Sequence, residues 1–297
     1  MKFLLAIALF AAACSATGAS PAPAEPTAPA STVPAFTPTA FSVKVTGSGR
    51  PVIFIPGLAS PGSVWDGSLA HLAGHVQAHV LTLAGFAGQP PIAGPFMQQV
   101  HDQIVQYIKA NRLEHPLVVG HSLGGVMALW LAESDPDVAG IVDVDGFPYL
   151  AGITNPSVTP DQAAQQAKAI HDQMATMTPE QLGAQMGQFL KGMVSSADDL
   201  QRLTDAAGKS DPPTVATAFS EMLSKDLRPD LAKITVPVTI VAATDSAAPP
   251  DKLKAAWHSQ VDAIPHLDLE FVGAAKHFVM LDQPDVFYSL LDKALAK

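Results

Sequence analysis

The sequence predicts an α/β protein with a mostly parallel, doubly wound sheet and an inserted helical segment, and three observations carry that expectation. Short apolar runs rich in β-branched residues alternate with segments of helical spacing along most of the chain. The alternation stops between about 147 and 228, where only helix-like material occurs. One strand-to-helix junction, inside "PLVVGHSLGGVMALWLAESDP", places a serine between two glycines as Gly120-His121-Ser122-Leu123-Gly124.

Each element follows from its local pattern. The runs "FSVKVTG", "PVIFIPG", "HVLTLAG", "PLVVGHS", "AGIVDVDG", "VPVTIVAATD" and "LDLEFVGAAKH" read as strands, most of them apolar enough to be covered on both faces. The segments "GSVWDGSLAHLAGH", "PFMQQVHDQIVQYIKANR", "LGGVMALWLAES", "PDKLKAAWHSQV" and "PDVFYSLLDKALAK" space their apolar residues three and four apart, as helices do. In the interrupted stretch, "DQAAQQAKAIHDQMATM", "PEQLGAQMGQFLKGMV" and "PTVATAFSEML" read as helices lying over the sheet. Their apolar faces carry Met174, Met177, Met186, Met193 and Met222, flexible side chains that serve either as helix packing or as a pocket wall.

The first 40 residues follow another logic. "MKFLLAIALFAAACSATGA" has one early positive charge, an apolar stretch too short to span a bilayer and small residues after it, the pattern of an export signal over 1–19. Cys14, the only cysteine, follows "FAAA" and resembles the lipid-modified cysteine of bacterial lipoproteins; cleavage by ordinary signal peptidase after Ala16 or Ala19 is the other route. The expectation is an exported protein, periplasmic or anchored to a membrane through Cys14. The stretch 20–40, rich in Pro, Ala and Thr, cannot bury a core and reads as an extended tether. The expected layout is then an α/β core over 41–146 and 229–297, with a helical cap over 147–228.

Composition narrows the partners. The formal net charge is −10 with no basic cluster, which argues against nucleic acid. The histidines are scattered without a ligand spacing, so neither a metal nor a cofactor is expected, and the partner is a small-molecule substrate.

The Gly-x-Ser-x-Gly pentapeptide between a strand and a helix has the pattern of a nucleophile elbow. From about Phe41 onward the chain resembles the α/β-hydrolase superfamily, serine esterases and lipases among them, with a helical cap inserted after the strand counted sixth. A serine hydroxyl needs a base to take its proton, an acid to orient that base, and donors for the oxyanion. The resemblance implies the chain order serine, acid, histidine. Ser122 is then the nucleophile. His277, in "KHFVMLDQPDVF" after the last strand, is the base; His171 and His258 fall on helices and His266 at a strand's start.

Two positions compete for the acid. Asp245 ends "VPVTIVAATD" and matches the usual site of the family, so it is the expected acid; Asp145, ending "IVDVD", is the alternative, otherwise a capping or hinge residue before Gly146. Asp143 lies on the same strand face as Asp145. The oxyanion donors implied are the backbone N–H groups of Leu123 and of Leu58, the latter in "IPGLASPGSVWD", where Pro56-Gly57 replaces the family's frequent His-Gly. A serine nucleophile implies acyl transfer, with hydrolysis of carboxylic esters the first expectation. Lactones, thioesters and haloperoxidase-like chemistry use the same machinery, and a hydrolase fold kept only for binding is the reading of a different class.

Overall fold

The computed structural model describes residues 36–297, apart from 135, 136, 154, 246 and 247. The expected signal, Cys14 and most of the expected tether lie outside the described residues.

The described chain forms a seven-stranded sheet: β1 (Phe41–Gly47), β2 (Arg50–Ile55), β3 (Val76–Leu83), β4 (Leu117–His121), β5 (Gly140–Val144), β6 (Val238–Ala243) and β7 (Leu267–Val272). Their spatial order is β1-β3-β2-β4-β5-β6-β7. Only β1 pairs antiparallel, on the edge beside β3, and the remaining neighbours are parallel. All five residues of β4 and of β5 are buried, which is why both read as unbroken apolar runs rather than as an alternation.

Helices α1 (Asp66–His71), α2 (Phe96–Ala110), α3 (Leu123–Ser134), α8 (Pro250–Val261), α9 (Val279–Asp282) and α10 (Pro284–Leu295) flank or follow the strands. The α3 helix is apolar nearly all round because it is buried nearly all round, packed on β2, β4 and β5. Its first residue directly follows Ser122, so the elbow is held by one of the most enclosed elements of the fold.

The cap leaves the sheet after β5 and returns at β6. It consists of α4 (Pro160–Met174), α5 (Pro179–Leu190), α6 (Ala197–Ala207) and α7 (Pro212–Ser224). The α6 helix was not foreseen in the sequence, although Ser196 caps it by accepting from the Asp199 amide. Thr159 and Thr178 start α4 and α5 with reciprocal capping boxes to Gln162 and Gln181. Within the cap α4 packs on α7 and α5 on α6.

Several polar ties fasten this layer to the core. Glu221 of α7 accepts from the Phe96 and Met97 amides at 3.0 and 2.7 Å, placing a carboxylate on the N-terminus of α2. The Asp211 amide donates to Gly85 O, and the Ala87 amide donates to Ser210 Oγ.

The expected tether boundary at residue 40 moves upstream. Ala40 is wholly buried, Phe36 packs against the core, and Gln103 Oε1 accepts from the amides of Thr39 and Ala40 at 2.7 and 2.9 Å. Residues 36–40 belong to the folded domain because a side chain from α2 supplies the acceptor that their backbone needs.

Candidate active site

The elbow is built by close approach of backbones. Ser122 sits at φ 54°, a left-handed conformation that an L-residue holds only when its surroundings enforce it. A Cβ at Gly120 would run into the Gly124 carbonyl, and one at Gly124 into the Ile55 carbonyl, so neither flanking position tolerates a side chain. The Ser122 amide donates to Val144 O at 2.8 Å, tying the turn to the end of β5. The hydroxyl is thereby presented at the carboxyl ends of the parallel strands, where open α/β sheets bind ligands.

His277 follows β7 and lines the same cavity as Ser122. Its partner corrects the expected assignment. His277 Nδ1 lies 2.6 Å from Asp145 Oδ2, with the two side chains only 19% and 13% exposed, so Asp145 and not Asp245 is the carboxylate at the imidazole. The physical reason lies in the end of β5. Asp145 also has a left-handed backbone, φ 56°, and its second oxygen, Oδ1, accepts the Ala243 amide of β6 at 3.0 Å. Turned and braced in this way, its carboxylate points across the strand ends. Asp245 lies one strand further on and is exposed, with its amide donating to Ala275 O. Asp145 is therefore not a hinge or cap residue.

Because an ionised carboxylate only accepts, His277 Nδ1 carries the hydrogen, which leaves Nε2 with its lone pair. Among the described residues Ser122 Oγ makes no hydrogen bond to that nitrogen; both groups face one cavity, and catalytic contacts of this kind tighten when substrate enters. Leu123 opens α3 and so has an amide without an intrahelical acceptor, while Leu58 lines the cavity opposite. Gly57 makes that approach possible, since a Cβ there would sit 2.8 Å from His121 Nδ1 and 3.2 Å from Ser122 Cβ.

Two buried groups behind the site were quoted in the sequence motifs without a role. His121 is 1% exposed, and its Nε2–H donates to the His277 carbonyl at 3.1 Å. Burial, followed by the nearby His277, pushes its pKa well below the ordinary histidine value, so it is neutral, and its Nδ1 has no partner. Asp143 is fully buried; its Oδ1 accepts the Gly146 amide at 2.9 Å and its Oδ2 has no partner. Burial and, less strongly, Asp145 push its pKa well above the ordinary carboxylate value, against the opposing pull of the Gly146 bond, and so favour its protonated form.

The loop carrying His277 is stitched to the cap. Asp282 accepts from the Lys276 amide at 2.9 Å and, across to the turn after α5, from the amide and hydroxyl of Ser195 at 2.9 and 3.0 Å. The Phe278 amide donates to Met193 O at 3.2 Å.

The cavity has a volume of about 280 Å³. The cap supplies Met186, Phe189, Leu190, Met193, Phe219 and Met222 to its wall. Of the five methionines noted in the sequence, Met186, Met193 and Met222 face the cavity, whereas Met174 and Met177 pack in the core cluster. His171 lies on α4 and His258 on α8, and His266 is exposed just before β7, all outside this cavity. Among the described residues no group of histidine, cysteine and carboxylate side chains could hold a metal ion.

The family model described as "Alpha/beta hydrolase family" matches residues 52–290. The chain belongs to the alpha/beta hydrolase family. It is 25% identical over 262 residues to a pimeloyl-[acyl-carrier protein] methyl ester esterase of Nitrosomonas europaea, with 84% of this chain and 97% of that protein covered. It is 22% identical over 251 residues to 3-oxoadipate enol-lactonase 2 of Acinetobacter baylyi, covering 84% and 90% of the two chains. Among solved structures, a thermophilic esterase from Thermogutta terrifontis superposes with a TM-score of 0.72 at 18% identity, covering 86% of this chain and 93% of the other. This alpha/beta hydrolase thus shares its fold and its length with relatives of differing named substrates, and its own cavity has to supply the rest of the argument.

Proposed function

We propose that this protein is a serine hydrolase that cleaves carboxylic esters through an acyl-enzyme, and that it acts outside the cytoplasm. The observation that carries the reading is the Asp145–His277 pair facing the same cavity as a serine held at φ 54°. Ser122 Oγ attacks the ester carbonyl while His277 Nε2 takes its proton; Asp145 keeps Nδ1–H in place and stabilises the imidazolium that forms. The amides of Leu58 and Leu123 receive the oxyanion. His277 then returns the proton to the departing alcohol, and water repeats the sequence in reverse to release the acid. Export rests on the N-terminal sequence pattern alone.

The test is a burst of para-nitrophenol from para-nitrophenyl acetate, together with an organophosphonate whose mass is mapped by peptide. We expect one equivalent on Ser122, and a loss of roughly 10^4-fold or more in turnover for Ser122→Ala. Labelling at another serine means that the nucleophile elbow is misread; no burst and no label returns the chain to the class of hydrolase folds kept for binding.

A further inference from the structure

The cavity contains two kinds of surface and lacks a third. Its wall is apolar, built by Leu253 from the core side and by Leu150 and the methionines and phenylalanines of the inserted segment. Its carboxylates are Asp145, held on His277, and Asp245, exposed at the edge. No lysine or arginine is among the described residues that line it, and its other imidazole, His121, is neutral and directed at the His277 carbonyl. An anionic group entering this space would lose its water without gaining a partner, and it would meet a negative charge on the way in. The chain as a whole adds to that field with a net charge of −10.

We propose that the enzyme takes esters of uncharged, apolar acyl groups and turns away acyl groups that end in a carboxylate, with Asp245 acting at the rim as the repelling charge. This rests on the reading that Ser122 attacks a carbonyl in this cavity. It also gives Asp245 a place in specificity, separate from the acid that the sequence expected it to be. A methionine-lined wall suits flexible aliphatic chains, because the unbranched thioether repacks around them.

The matched pair for the test is para-nitrophenyl hexanoate and the para-nitrophenyl hemiester of adipic acid, which share acyl length and leaving group and differ by one terminal carboxylate. From acetate to hexanoate, kcat/KM should rise by about fourfold per methylene that finds room. The hemiester should fall at least about 100-fold below hexanoate, since its carboxylate is desolvated without a partner. Asp245→Lys should narrow that gap by about threefold to tenfold, and most of the narrowing should vanish in about 1 M salt, as for an exposed charge. Equal or better turnover of the hemiester overturns the proposal. A gap unmoved by Asp245→Lys removes the rim charge from it. A binding arm keeps the question separate from chemistry: calorimetry on Ser122→Ala with methyl hexanoate and monomethyl adipate should show the same preference. Absence of turnover on every ester, with that preference intact, would refute the hydrolytic reading and leave the pocket's selectivity standing.

Discussion

Neighbouring parallel strands β5 and β6 are each followed by an aspartate, Asp145 one residue and Asp245 two residues beyond the strand, and only Asp145 reaches the imidazole. Asp145 turns through φ 56°, and both its oxygens are engaged, one by Ala243 and one by His277. Asp245 stands exposed. Strand position therefore does not decide which carboxylate serves the base. The decision falls to the first residue beyond the strand, where a left-handed backbone and a bracing amide from the next strand direct the side chain inward.

The largest expected effect tests that contrast directly. Asp145→Asn should lower kcat by about 10^4-fold, because the amide can no longer hold the Nδ1–H tautomer. Asp245→Asn should change turnover of a neutral ester by less than about fivefold, as expected of an exposed charge. The reverse ranking in steady-state kinetics would break the comparison. A second, smaller effect sharpens it from the other side of His277. His121→Phe removes the Nε2–H bond to the His277 carbonyl and should cost about fivefold in kcat with KM nearly unchanged, whereas His121→Gln should recover part of the loss by donating from a similarly placed nitrogen. A loss confined to KM would mean that His121 acts on substrate rather than on the base.

Asp143 lies on the same strand, two residues before Asp145, and its environment has the opposite consequence. Burial raises its pKa above the ordinary value of 3.8, so the native state keeps a proton that the unfolded chain has lost. With more protons bound in the native state, stability must fall as pH rises from that value toward the native one. Asp143→Asn preserves an acceptor for the Gly146 amide and abolishes this titration. Its Tm relative to the parent should therefore climb by a few degrees as pH rises above the ordinary carboxylate value of 3.8. His121 works in the other direction. Its lowered pKa means that stability is lost as pH falls through the ordinary value of 6.5, so His121→Phe should flatten that acid limb. The smallest effect serves as a control remote from both strand ends. Starting the chain at Phe36 should leave Tm unchanged, while starting it at Phe41 should lower it by a few degrees through loss of the Gln103 bonds and of buried Ala40.

These contrasts show where the sequence was legible. Ser122 could be read because its two glycines and its strand-to-helix setting are local, and His277 because it lies in the loop after the last strand. The choice between Asp145 and Asp245 could not, since it turns on a backbone angle and on a bond to Ala243 nearly a hundred residues away. His121 and Asp143 were printed in the motifs, yet only three-dimensional packing reveals that each has one atom with no partner. The seven strand runs were readable from composition. The end of the tether was not, because Phe36 and Ala40 sit in a stretch of linker composition and are claimed by Gln103 from another element.

The Asp282 junction bears on how such an enzyme can be remodelled. One carboxylate holds both the amide before His277 and Ser195 of the insertion, so the insertion and the base share a fastening. Grafting a foreign insertion onto this sheet would sever it unless the turn at 193–195 travelled with the graft. Chimeras that exchange the insertion should then differ in rate as well as in substrate choice, and those that retain the Ser195 partner should recover turnover first. Modular exchange in this fold has its seam at that turn rather than at the ends of the helices.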